Sequence, residues 1–347
     1  MLTAFLAPEF VVGWAAWQFL NARRVAKAFN DELRVQPAQP YCYRRAIWQK
    51  LVVMLLGGSR SLSDGWTETH GFFAWMGGFM LYVDGGPRGI LTPDELLQFV
   101  RDGCVEMPAI TEADIKDRSK GDMLSKWVAI LQLVWFVIQL IARYIQNLPV
   151  TLLEIDTLGV AALTCISYGF WLNKPKDVRL PYIVHWKDPT APPLPDSLDS
   201  DKEHGTLSIL RLLFNYGTEL TGGLTPDKIT IIIGCISGMA FGVIHCLGWN
   251  FLFPRHAEQI LWRVASIGIP FTFSGIQLPM LLNVLDGWIS FRPPFSRVNT
   301  PISGYIAVYY IPARVSIIVL MMLSLRSLPP GTYDTVAWSK FIPHVTM

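Results

Sequence analysis

The sequence predicts an all-α polytopic membrane protein with about six transmembrane helices and a small cytosolic helical region. Three observations predict this class. Residues 229–254 run through 26 positions without Asp, Glu, Lys or Arg, where a bilayer span needs only about 20 apolar residues. Similar apolar segments recur along the chain. Of the 347 residues, 51% are hydrophobic and 16% charged, against about 25% charged in an ordinary soluble domain. The mean hydropathy is accordingly positive, +0.34.

Taken in order, residues 1–21 hold the first span, at roughly 2–20. It contains Pro8 and Glu9 and is the weakest of the six. No basic segment precedes it, and Arg23, Arg24 and Lys27 follow it, the order of a retained span rather than a cleaved signal. Residues 22–122 form the main cytosolic or interfacial helical region. Within it, 46–57 are apolar but too short to span, and 66–83 have borderline length with Gly71, Gly77 and Gly78. Both read as interfacial or re-entrant segments. Residues 92–103 form a small helix with Thr92 as N-cap, Pro93 at its first position, Glu95 closing a capping box and Gly103 ending it. Thr111 and Asp114 start another in the same way. Residues 123–172 form a transmembrane hairpin, with spans at 125–146 and 152–172. The cytosolic linker 173–228 includes the Pro-rich acidic stretch 187–205, which is expected to be disordered. Thr225, Pro226 and Asp227 cap the next span. Residues 229–326 hold three transmembrane helices, at 229–251, 260–283 and 304–325, and 327–347 form a C-terminal tail.

Basic residues orient this arrangement. The loop 22–122 carries 13 of the 29 Lys and Arg residues, and 173–228 carries seven. Basic loops stay cytosolic, so both termini are expected on the lumenal or extracellular side. The reading is an integral membrane protein of an endomembrane or the plasma membrane.

Several chemistries are disfavoured. A net charge of +2 without a basic, aromatic-interleaved stripe argues against nucleic acid. The five cysteines form no CxxC pair, so neither a disulfide framework nor a zinc site is indicated. The six histidines form no HxxxH, HxxH or HExxH pair, and Asp196, Asp199, Asp201 and Glu203 lack the spacing of a calcium loop. No GxSxG, P-loop or GxGxxG motif occurs. No metal and no cofactor is expected. No internal repeat supports an inverted-repeat transporter fold.

The candidate polar site consists of His245, Trp249, Arg255, Arg263 and Arg314. Arg314 lies mid-way through an apolar span, where a guanidinium costs about 2.5–3.5 kcal/mol, so it is expected to be buried between helices with a partner. It serves either as an anion clamp or as a structural ion pair. His245, Trp249, Arg255 and Arg263 cluster at the ends of two spans, as a pocket or as an interfacial belt of Trp, His and Arg. His70, Glu154 and Asp156 are weaker candidates. His70 is a lone histidine without a second ligand at metal spacing. Glu154 is explained by a capping box with Thr151, and Asp156, two positions on, points to a different face. Glu9 reads as interfacial, beside the alternative of pairing with an arginine on another helix.

Four stretches carry a resemblance. Asp64-GWTETHGFFAWMGGFML-Tyr82, Arg118-SKGD, His245-CLGWNFLFP with Glu258-QILWRVAS, and Leu325-RSLPPGTYDTVAWSKFIPH resemble the signature of a large group of fungal multi-pass membrane proteins without an established activity. The resemblance covers nearly the whole chain. It implies a fungal source and a polytopic fold, and it carries no catalytic residues over. This chain departs at Leu252 and near Leu323, where members often have an acid, and its N-terminal region is shorter than in many members. Three function classes follow: an accessory or scaffold protein of a fungal specialised-metabolite pathway, a membrane-embedded cyclase or isomerase on a lipophilic substrate, and a small transporter or channel. An enzyme predicts intramembrane acids clustered with a base, a transporter predicts pseudo-symmetry, and a scaffold predicts neither; the sequence leans to the scaffold. The expected partners are the lipid bilayer, a lipophilic small molecule and other membrane proteins.

Overall fold

A computed structural model describes residues 6–32, 65–84, 86–118, 122–176, 178, 180–187, 226–251, 253–286 and 306–337. The expectations for 46–57, for 188–205 and for the Thr225 cap lie outside the described residues. The chain forms two compact units. One comprises residues 1–14, 127–167 and 209–347, the other 15–126 and 168–208.

The second unit corrects the all-α expectation. Helix α1 (Pro8–Glu32) does not stop near residue 20 but continues for another twelve residues. Its later turns bury Val25, Ala26 and Phe29 in this unit's core while Arg23, Arg24 and Lys27 stay exposed. The 66–83 segment is not a re-entrant helix. It forms helix α2 (Glu68–Trp75), a turn, and strand β1 (Phe79–Val83). Gly77 makes that turn at φ +76°, a conformation that favours glycine. Strand β2 (Gly86–Ile90) pairs antiparallel with β1. Strand β3 (Tyr182–His185) pairs parallel with its other edge, giving the order β2-β1-β3. A strand from the expected linker thus completes a sheet begun a hundred residues earlier.

Trp66 stacks on Phe29 at 3.8 Å, and Asn30 holds both backbone groups of Trp66, at 2.6 and 2.8 Å. Gly71 lets α2 approach α1 closely, since a Cβ there would stand 2.0 Å from the Ala22 carbonyl oxygen. Helix α3 (Pro93–Arg101) has the expected Thr92–Glu95 capping box. Helix α4 (Glu112–Arg118) begins with the Thr111–Asp114 pairing.

The first unit is built from long apolar helices. These are α5 (Asp122–Ile145), α6 (Leu152–Phe170), α7 (Pro226–His245) and α8 (His256–Asp286), then a wide π turn (Ile306–Tyr310) running into α9 (Ile311–Ser324). Among the described residues, three helical stretches are long and apolar enough to cross a membrane: Lys126–Ile145, Leu152–Phe170 and Ile229–Gly248. The chain is therefore mostly helical with three candidate spans and a small sheet. The π turn precedes Pro312, which has no N–H and clashes with the preceding turn of a regular helix.

Packing here follows small residues. Gly238 and Gly242 lie one turn apart on α7; a Cβ at either would meet Phe273 or Pro270 of α8 at 2.2–2.3 Å. Ile155, Trp262, Phe273, Ile317 and Met321 are buried together. Helix α5 instead exposes Val128, Leu131, Trp135, Ile138, Ile141 and Ile145 along one side, a lipid-compatible face.

Candidate functional site

Helix α6 starts as its sequence dictates. Glu154 accepts from the Thr151 N–H at 2.7 Å, and the Glu154 N–H donates to the Thr151 hydroxyl at 3.1 Å. Glu154 is thus a capping residue, and it also faces Arg143 at 3.5 Å. Fixing this first turn directs Asp156 to another face, where it is fully buried.

Asp156 is the centre of a polar cluster. Its Oδ1 accepts from Arg314 Nη1 at 2.7 Å and lies 3.1 Å from His245 Nε2. The other ring nitrogen of His245, Nδ1, lies 2.8 Å from the Phe241 carbonyl oxygen one turn back. Arg314 is itself buried; its Nε donates to the Leu6 carbonyl at 2.9 Å, and its guanidinium sits 4.5 Å over the Phe241 ring. Tyr310, one turn before Arg314, donates to the same carbonyl at 3.2 Å. Trp262 Nε1 of α8 donates to the His245 carbonyl at 3.3 Å.

Glu9 belongs to this cluster. It is fully buried, which corrects its reading as an interfacial residue. Tyr310, Arg314 and Asp156 lie within electrostatic reach of its carboxyl. Because the Tyr310 hydroxyl donates to Leu6, neither Glu9 oxygen has a hydrogen bond of normal geometry, and Asp156 Oδ2 has none either. Phe10, Phe273 and Tyr310 meet edge-to-face beside it. The group can give and take a proton among aromatic walls.

The structure divides the expected site. It brings His245 and Arg314 together with Asp156, but His245 turns away from Trp249, Arg255 and Arg263. Arg263 donates twice to the Trp249 carbonyl, at 3.1 and 3.0 Å, and lies 4.9 Å over its ring. That pair is a helix-end cap with a cation–π contact. Arg255 is exposed, its carbonyl accepting the first N–H groups of α8. His70 lies in the other unit and is structural: it closes a capping box with Thr67, and burial pushes its pKa below the ordinary value.

Among the described residues no group of three or more His, Cys, Asp or Glu side chains is arranged to hold a metal. For Glu9 the structure favours the alternative reading, an acid near an arginine of another helix, over the interfacial one. A signal was available in the sequence, an acid inside an apolar segment, but its partners lie far away in the chain.

Three helices long and apolar enough to cross a membrane point to membrane association of this mostly helical chain. A family model described as a family of unknown function (DUF8562) matches residues 1–193 and 225–345, and the chain belongs to that family. No curated protein and no solved structure matches it.

Proposed function

We propose that this protein is a membrane-embedded acid–base enzyme, a cyclase or isomerase acting on a lipophilic substrate. The supporting observation is Glu9, a carboxyl group buried completely with neither oxygen in a hydrogen bond of normal geometry and with the Tyr310 hydroxyl as its nearest polar neighbour. Leaving such a group unsatisfied costs about 1–3 kcal/mol or more, and a catalytic role is one of the reasons for which native structures keep one. Beside it stand a second carboxyl with a free oxygen, a histidine and aromatic faces. Protonating a double bond, stabilising the resulting cation and removing a proton from the neighbouring carbon require these parts.

Six crossings are part of this reading. Helix α1, helix α8 and the stretch 306–324 join the three candidate spans, with 22–122 and 173–228 on the cytosolic side by their basic residues. A fungal specialised-metabolite pathway is the setting the sequence resemblance suggests.

Solvent deuterium tests the proposal without an identified substrate. Protein in vesicles is incubated in D2O with an apolar extract of the cells that make it, and carbon-bound deuterium is sought by mass spectrometry. Wild type is expected to label one lipophilic compound. No labelling in any fraction would remove the enzyme and leave the accessory or scaffold reading, for which the exposed apolar side of α5 would be the contact surface.

A further inference from the structure

We infer that the cluster holds a single exchangeable proton, that Glu9 carries it at rest and gives it to the substrate, that Asp156 takes it back, and that the substrate is a neutral lipophile rather than a phosphate ester. This rests on the acid–base function proposed above.

The inference comes from counting charges on every element that faces the cluster. These are Glu9 on α1, Asp156 on α6, His245 on α7, and Tyr310 and Arg314 on the π turn and α9; α8 contributes the Trp262 N–H. Arg314 is always a cation. Asp156 Oδ1 accepts from it and cancels it. A further net charge in so apolar a place is strongly disfavoured. The cluster is neutral only when one proton is shared by Glu9, Asp156 and His245. Two protons leave it at plus one, none at minus one.

Each carrier is satisfied imperfectly. With the proton on His245, both ring nitrogens can donate, to Asp156 and to the Phe241 carbonyl, but Glu9 is then a carboxylate that must compete with the Leu6 carbonyl for the single Tyr310 hydroxyl. With the proton on Glu9, the carboxyl is neutral, but one His245 nitrogen faces an acceptor with nothing to give. Opposed flaws of this kind keep the proton mobile.

The chemistry balances without a co-reactant. The Glu9 O–H bond breaks, and its proton forms a C–H bond at one end of a double bond. The adjacent cation loses a proton from a neighbouring carbon, and those C–H electrons form the new double bond. Asp156 Oδ2, which has no hydrogen bond, accepts that proton, which then returns to Glu9 within the cluster. His245 is a positioning residue, held by the Phe241 carbonyl and set against Asp156. Because Arg314 is already neutralised, an ionised phosphate ester would bring uncompensated negative charge. An alkene or enol would not.

Infrared spectra of the protein in an alkyl maltoside detergent, which has no carbonyl group, test this directly at neutral pH. Wild type should show the C=O stretch of a protonated carboxylic acid, shifted in D2O. The band should vanish in Glu9→Gln. It should also vanish in Asp156→Asn, where Glu9 must ionise to balance Arg314. A missing wild-type band, or a band that survives either substitution, overturns the shared proton. Should Glu9→Gln fail to insert, wild type and Asp156→Asn still decide. In the deuterium assay Glu9→Gln should lower labelling at least about 100-fold, and the label should lie in neutral lipids. Labelling undiminished in Glu9→Gln keeps the enzyme and overturns the role of Glu9. The expected bands without any labelling keep the proton cluster and overturn the enzyme.

Discussion

His70 and His245 are both buried and both engage two ring nitrogens, yet their neighbours differ. His70 Nδ1 accepts the Thr67 N–H at 3.1 Å, and Nε2 faces the Ile110 carbonyl at 3.0 Å, so Nε2 must donate. One donor and one acceptor fix one neutral tautomer, and the ring works as a bolt between α2 and the segment before α4. His245 faces two acceptors, and no neutral tautomer satisfies both. A donor beside one nitrogen fixes the His70 ring, whereas the two acceptors beside His245 leave its second nitrogen dependent on the state of Asp156. The comparison can be broken or sharpened by substitution, beginning with the cluster.

The largest effect is expected at Arg314. Arg314→Leu strands the Asp156 carboxylate and removes the donor to Leu6, a loss of about 3–5 kcal/mol for a buried pair missing one partner. Arg263→Leu removes two bonds to the half-exposed Trp249 end and should cost no more than about 1 kcal/mol. Thermal unfolding in detergent should separate the two clearly. Equal Tm values for both would mean that the buried cluster is not what holds these helices together.

Next comes Gly71→Ala, which tests whether the α/β unit tolerates any slack around its bolt. The added methyl would overlap the Ala22 carbonyl, and overpacking of this kind costs about 1–3 kcal/mol. Near-ultraviolet circular dichroism from the Trp66–Phe29 stack should weaken. An unchanged spectrum and stability would show that α1 and α2 can part freely.

Thr151→Ala is smaller, about 1 kcal/mol for one lost cap. It should lower stability without removing the carboxylic acid band, because Glu154 and Asp156 serve different faces of α6. Loss of the band would tie the cap to the proton cluster.

What the sequence made legible was local. The Thr92–Glu95, Thr111–Asp114 and Thr151–Glu154 boxes each lie within four residues, and each forms as spelled. The burial of Arg314 was legible too, because a guanidinium in an apolar run has nowhere else to go. Its partner was not: Asp156 stands 158 residues away, and helix periodicity says which face it takes but not what that face meets. The sheet was hidden for the same reason. FMLYV follows a helix across Gly77 and Gly78 and reads as apolar membrane sequence until YIVH, a hundred residues on, pairs with it. Glu9 looked peripheral only because it lies near the start of the chain.

The smallest expected effect concerns pH and the α/β unit, and it returns to the bolt. Burial holds the His70 pKa below its ordinary 6.5, against the pull of the Ile110 carbonyl and of Glu112. Below pH 6.5 the unfolded chain therefore binds a proton that the folded one refuses. The stability His70 contributes is complete above 6.5 and is lost as pH falls through the folded value, by at most about 1.4 kcal/mol per pH unit for one group. Glu112 acts elsewhere: burial raises its pKa, but Lys116 outweighs this and holds it below the ordinary 4.5. Between 6.5 and 4.5 the part of the slope that His70→Gln removes should belong to His70. Gln at the third helical position can close a capping box just as Glu does, so His70→Gln keeps the acceptor for the Thr67 N–H and removes the titration. Unfolding followed by near-ultraviolet circular dichroism should show a flatter pH dependence in His70→Gln over that range, at nearly unchanged stability above pH 7. A slope that persists undiminished in the variant would mean that another group binds the proton and that His70 is not the closed counterpart of His245.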